Sequence, residues 1–204
     1  MKRKILKQLS RFGIMSLCLM TGFCAVDDPN PLLPEPPHDL SGYLFGGSAD
    51  DEGRAFLPAT DGGFWVIGNT RSYGAGERDV WVIKTDSEIN EMWARTYGDS
   101  VDDSVQSALL TDNGTLVLAG HSGTYSRRDG RIFLKKIDLS GNEVWTRHFS
   151  DGGWDIGGFA IATDDGGFAI AGSNSFDTDR SRFWLIKTDG DGNLQWESSY
   201  GGSG

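Results

Sequence analysis

Apolar residues in this chain come in short bursts, not in helical stripes. "FWVIGNT" (Phe64 to Thr70), "DVWVIKTD" (Asp79 to Asp86), "TLVLAGHS" (Thr115 to Ser122) and "RFWLIKTD" (Arg182 to Asp189) are typical, each bounded by Gly, Asp, Asn or Ser. Runs of this length between turn formers predict strands. A first strand precedes each pair: "GRAFLPAT", "SVQSALLT" or "GGFAIAT", closed by the turn "DGG", "DNG" or "DDGG". After the second strand comes a longer, variable loop. The third strand then meets a tight turn, "SEIN", "LSGN" or "GDGN", which leads into "EMWARTY", "EVWTRHF" or "LQWESSY". Turns this short predict antiparallel neighbours, so each set of four strands reads as a meander. Val80-Trp81-Val82-Ile83 and Phe183-Trp184-Leu185-Ile186 are apolar at consecutive positions. A sheet with one wet face would alternate; these runs predict cover on both faces.

The pattern is periodic. Copies open at Phe45, Tyr97 and Phe149, and the letters of a further opening stand at Tyr200, in steps of 52, 52 and 51 residues. Gly68, Gly120 and Gly172 keep the step, as do Lys84, Lys136 and Lys187, and Trp93, Trp145 and Trp196. Four-stranded meanders covered on both faces and repeating at roughly 50 residues predict β-propeller blades. The expected class is all-β, with blades over residues 45–96, 97–148 and 149–199 and the start of a fourth at 200–204. Trp81, Phe133 and Trp184 are expected between blades, with the Trp93 column on the outer strand. Gly68, Gly120 and Gly172 are expected where a bulge or a close backbone approach excludes a side chain. Three blades do not close a ring, since propellers use four to eight. The expectation is therefore a fragment of a larger propeller; self-association of two chains is the alternative.

The columns "DGGF…G…DVWVIKTD…GN…W…YGGSG" resemble a repeat of secreted bacterial and archaeal β-propeller proteins, distantly similar to quinoprotein-type propellers. The resemblance spans residues 45–204. It implies export and the propeller fold, and supplies no catalytic residues. Copy one departs from it at the last turn, where Ile89 replaces the Gly141 and Gly192 of the other copies. A positive φ there is strained for isoleucine.

Composition sharpens the setting. Residues 1–24 read as a signal peptide: "MKRKILKQLSR" is basic, and the apolar "FGIMSLCLMTGF" is too short for a span of about 20 residues. Cys24 is placed for lipidation, although Phe23 and Thr21 depart from the usual lipobox; cleavage by ordinary signal peptidase is the other reading. Residues 25–44 form a Pro-rich linker. Beyond residue 24 stand 14 basic against 29 acidic residues, a net of −15. Such a field repels phosphate backbones and anionic headgroups, so neither nucleic acid nor a bare membrane is an expected partner.

The repeat also sorts candidate chemistry. Asp51, Asp103 and Asp155 share one column and read as loop acceptors. Lys84, Lys136 and Lys187 read as parts of the framework. "DGDGN" at Asp189 to Asn193 has calcium-loop spacing, yet its counterparts are ordinary turns, as is the "NGT" at Asn113. Candidate ligand-binding residues come from columns that vary: Tyr73, His121, Tyr125, Arg127, Arg128, Trp154 and Arg180. Aromatics can stack on sugar faces and arginines can grip carboxylates. No catalytic residue, metal site or cofactor is assigned, because His38, His121 and His148 are scattered. The expected function is an exported binding or scaffold module, periplasmic, extracellular or anchored through Cys24, that engages a protein or glycan through its loops. The alternative is part of an enzyme, a hydrolase or lyase acting on polysaccharide.

Overall fold

The computed structural model describes residues 44–201 except 178 and 179; the side chains of residue 125 and of residues 175–180 are outside the description. The expected leader, nearly all of the linker and residues 202–204 lie outside the described residues. Twelve antiparallel strands are described, within one compact unit, Leu40–Gly204. They form three separate four-stranded sheets, each in sequence order. Sheet 1 holds β1 (Asp51–Pro58), β2 (Phe64–Thr70), β3 (Asp79–Thr85) and β4 (Glu91–Tyr97). Sheet 2 holds β5 (Asp103–Leu110), β6 (Leu116–Ser122), β7 (Arg131–Ile137) and β8 (Glu143–Phe149). Sheet 3 holds β9 (Ile156–Ala162), β10 (Phe168–Asp177), β11 (Arg180–Thr188) and β12 (Leu194–Tyr200). One 3-10 turn, Tyr125–Arg127, interrupts the β6–β7 loop. Among the described residues no helix is long and apolar enough to cross a membrane.

Each first strand carries a bulge one residue long, skipping Arg54, Gln106 or Gly158 in the pairing. The three late glycines of the second strands sit against these bulges. A Cβ on Gly68 would lie 2.2 Å from the Glu52 carbonyl oxygen, and one on Gly120 2.0 Å from that of Ser104. On Gly172 it would lie 2.8 Å from the Ile156 oxygen. No side chain fits there, which is why one residue type holds the column. The last turns are also alike. Asp86, Asp138 and Asp189 each accept from the backbone and side-chain nitrogens of Asn90, Asn142 and Asn193, respectively. Positive φ occurs in all three, at 76° for Gly141 and Gly192 and at 65° for Ile89.

The sheets stack face to face through two apolar layers. Trp65, Ile67, Val80 and Val82 of sheet 1 meet Leu116, Leu118, Phe133 and Ile137 of sheet 2. Val117, Ala119, Ile132, Leu134 and Phe149 of sheet 2 meet Ala160, Phe168, Ile170, Trp184 and Ile186 of sheet 3. Each fully buried Leu, Ile or Val side chain contributes roughly 1.5–3 kcal/mol to this stacking. Phe133 and Trp184 lie between sheets as expected, whereas Trp81 is half-buried and Trp196 is 51% exposed. The difference has a simple cause: among the described residues sheet 2 has a stacked sheet on each side, while sheets 1 and 3 each have one.

Candidate functional site

The long β2–β3 and β6–β7 loops share one end of the stack with the connectors that lead from one sheet to the next. Backbone bonds tie them together: Asp103 donates to Arg78, Gly123 to Asp102 and Asp155 to Gly130. Both connectors, and the segment that enters sheet 1, are closed in the same way. The N–H groups of Gly47, Asp99 and Asp151 donate to the carboxylates of Asp51, Asp103 and Asp155, four residues on, at 2.8, 2.9 and 3.1 Å. These aspartates are loop acceptors, as their shared column predicts. Their titration differs with their surroundings. Burial works to raise Asp51, but donors from Thr70, Gly47 and Ser72 outweigh it and hold the group below the ordinary carboxylate value. Burial wins at Asp103 and Asp155, pushing each up to about 6.

The candidate residues chosen from the sequence do not form one cluster. Tyr73 is held on sheet 1, its ring 5.1 Å from that of Trp81 and its hydroxyl donating to the Gly46 carbonyl at 3.0 Å. His121 and Trp154 do meet, edge to face, with centroids 6.4 Å apart. Gly130 makes room for Trp154, since a Cβ there would come within 2.7 Å of the indole. Burial lowers the His121 pKa, opposed by a hydrogen bond with the Gly157 backbone. Arg127 and Arg128 are exposed, and Arg128 has a φ of 53°. The side chains of Tyr125 and Arg180 lie outside the described residues.

A second place has more chemistry. Between sheets 1 and 2 opens a cleft of about 270 Å³ lined by Tyr97, Asp103, Phe133, Lys135, Glu143 and His148, among others. Lys135 stands in a column that is Ile83 in sheet 1 and Ile186 in sheet 3, both buried. A cation here must be paired to remain charged. Its Nζ bonds the Glu143 carboxylate and the Thr146 hydroxyl and lies 5.8 Å from the Tyr97 ring centroid. Partial burial raises Glu143, but Lys135 and Thr146 outweigh it and the net shift is downward. Asp103 faces the same space. Burial is the main cause of its raised pKa, and the Asp99 and Asp79 carboxylates add to it. Burial pushes the Tyr97 hydroxyl up to about 12; it donates to the Gly141 carbonyl at 2.7 Å. His148 keeps an exposed edge, and its partial burial, with Arg131 and Lys135 nearby, lowers its pKa.

The cleft thus offers one aromatic surface, the Tyr97 ring, with donors at Lys135 and Thr146 and acceptors at Asp103 and Glu143. It suits a compact molecule with hydroxyl groups and one apolar face. Sequence reasoning read Asp103 as a loop acceptor and passed over Lys135, Glu143 and Thr146. The signal was present in the repeat: Ile-Lys-Ile down the Lys135 column, and Thr-His-Ser down that of His148. No protein-family model matches the chain, and comparison with curated proteins gives no match either.

Proposed function

We propose that the chain is a run of β-propeller blades of the secreted type its repeats resemble, working as a binding or scaffold module outside the cytoplasm. Its ligand is a neutral or amine-bearing glycan end, held in the cleft between the first two sheets. One observation carries this reading: a charged, hydrogen-bonding set built around Lys135 faces sheet 1 from a position that is a buried isoleucine in each of the other two sheets, Ile83 and Ile186. A structural repeat alone gives no reason for that exchange. Asp99 and Asp103 add negative charge around the Lys135–Glu143 pair, which disfavours an acidic sugar and favours hydroxyls or an ammonium. The half-buried Tyr97 ring supplies a surface on which a sugar face can rest. A glycan array followed by calorimetry on the hits tests this. Binding is expected for the native chain and lost in Lys135→Ile, which keeps the fold because it restores the residue type of sheets 1 and 3. Absence of any glycan hit, or equal binding by the variant, overturns it in favour of a protein partner.

The enzymatic alternative rests on Asp103, a carboxyl that titrates at about 6 beside a cleft suited to hydroxyls. A general acid acting on polysaccharide needs such a value. Polysaccharide turnover at mildly acid pH that disappears in Asp103→Asn would establish that reading.

A further inference from the structure

The outward face of sheet 3 repeats, in four of its apolar columns, the faces by which sheets 1 and 2 hold their neighbours. Phe159, Ile161, Phe183, Trp196 and Tyr200 are 51–63% exposed. For Ile161, Phe183, Trp196 and Tyr200 the equivalents Leu57, Val80, Trp93 and Tyr97 in sheet 1 pack against sheet 2, and Leu109, Ile132, Trp145 and Phe149 in sheet 2 pack against sheet 3, while Phe159 stands where the other sheets have Ala55 and Ser107. A hollow of about 390 Å³ runs from Phe159 and Phe183 on this face to Gln106 and His121 at the edge of sheet 2.

Both occupied faces use one further device. The last turn of the incoming sheet lays a glycine on the tryptophan of the sheet before it. A Cβ on Gly141 would come within 2.7 Å of the Trp93 ring and 3.0 Å of Arg95 Cδ. One on Gly192 would come within 2.8 Å of the Trp145 ring and 3.0 Å of Arg147 Cγ. Arg95 Nη1 and the Tyr97 hydroxyl then bond the Gly141 carbonyl, at 3.0 and 2.7 Å. So the glycine is set twice over, by its positive φ and by the indole against it.

We propose that the sheet 3 face is a seat for a further four-stranded sheet of the same repeat, and that the seat accepts a sheet whose last turn carries glycine over Trp196. It does not accept a second copy of this chain docked through sheet 1. That sheet presents Ile89 in the glycine column, and a four-carbon side chain would stand where even one carbon crowds the ring. This rests on the blade reading only through the repeated stacking geometry, and it is independent of glycan binding.

The test appends a fourth repeat to the full chain. Residues 102–149, carrying Gly141, or residues 50–97, carrying Ile89, are added after Gly204, which continues the repeat in register. Hydroxyl-radical footprinting then reads oxidation at Trp196 residue by residue. Several-fold protection of Trp196 is expected from the glycine repeat, and little from the isoleucine repeat until its Ile89 equivalent is changed to glycine. Equal protection by both, or none by the glycine repeat, overturns the proposal. Because an appended repeat can fail to fold, Gly192→Ile in the native chain gives a second measurement at an occupied seat. Trp145 should become oxidisable while Trp93 stays protected; a Trp145 that stays protected defeats the glycine rule. Concentration-dependent protection of Trp196 in the unmodified chain would instead show that a second copy takes the seat.

Discussion

In sheets 1 and 3 the lysine near the end of the third strand reaches the same destination. Lys84 Nζ bonds Asp61 at 2.9 Å and the Thr85 carbonyl at 2.8 Å, and Lys187 bonds Asp165 and the Thr188 carbonyl alike. The route is open because Gly63 and Gly167 lack a side chain. A Cβ on either would lie 2.0 Å from that carbonyl and 2.8 or 2.7 Å from the ammonium. Sheet 2 closes the route. Thr115 stands in the glycine column and Asn113 in the aspartate column, and the two bond each other and Thr111. Lys136 remains half-buried, and the charge of this sheet is placed one residue earlier, on the other face, at Lys135. A repeat keeps its framework by compensated exchanges, and the sheet that departs from it is the one that carries the polar cleft.

The contrast can be broken from the side of sheet 1. Asp61→Ala strands a buried ammonium and should cost about 1–3 kcal/mol in urea unfolding. That is less than for a fully buried pair, because Asp61 is about half exposed and water can reach the ammonium as its side chain retreats. Lys84→Met, which removes the charge and keeps the volume, should be nearly neutral by the same measurement. Asp61 and Asp165 have folded-state pKa values below the unfolded one, each chiefly through its lysine partner. Their contribution is present above the unfolded carboxyl value of about 4 and is lost as pH falls through the folded values. Equal acid sensitivity in native and Asp61→Ala chains would deny the pair this role.

Sheet 2 offers the opposite sign. Asp103 titrates at about 6 when folded, so the native state binds its proton more tightly than the unfolded chain. Stability should fall as pH rises from about 4 to about 6, by about 1–3 kcal/mol, and Asp103→Asn should flatten that slope. Ile89→Gly should stabilise by about 0.5–1 kcal/mol, relief of left-handed strain less the added entropy of glycine. Smallest of all, Asn113→Asp with Thr115→Gly should rebuild the lysine route in sheet 2 and add about 0.5 kcal/mol, absent in a Lys136→Met background. Asn113→Asp alone should not, because Thr115 still blocks the path.

Much of this was legible in the sequence, for local reasons. Turn residues and apolar bursts fix where strands begin, and the spacing of Gly68, Gly120 and Gly172 announces a contact that tolerates no side chain. Ile89 was readable as strain because two other copies show glycine in its place. The cleft was harder to see. β7 is apolar on both faces, so the pattern does not tell which neighbour Lys135 meets. Glu143 lies eight residues further on, across a turn and a bulge at Val144, and only the register brings the two together. Nor does the Trp93, Trp145 and Trp196 column reveal that its last member faces no further sheet among the described residues. Identical letters give equivalent positions, while burial depends on what stands opposite.

The aspartate that closes each connector bears on heredity as well as on shape. Donor and acceptor lie four residues apart within one repeat, so a single copy carries its own joint complete. Gain or loss of a whole copy by in-register recombination therefore leaves this bond intact wherever the crossover falls, because the donor is a backbone N–H and every copy supplies the aspartate four residues on. A gene built this way can change its number of copies in one step with this bond kept, and the residue that still decides a new junction is the one in the last turn, glycine or Ile89, that meets the tryptophan of the sheet before it.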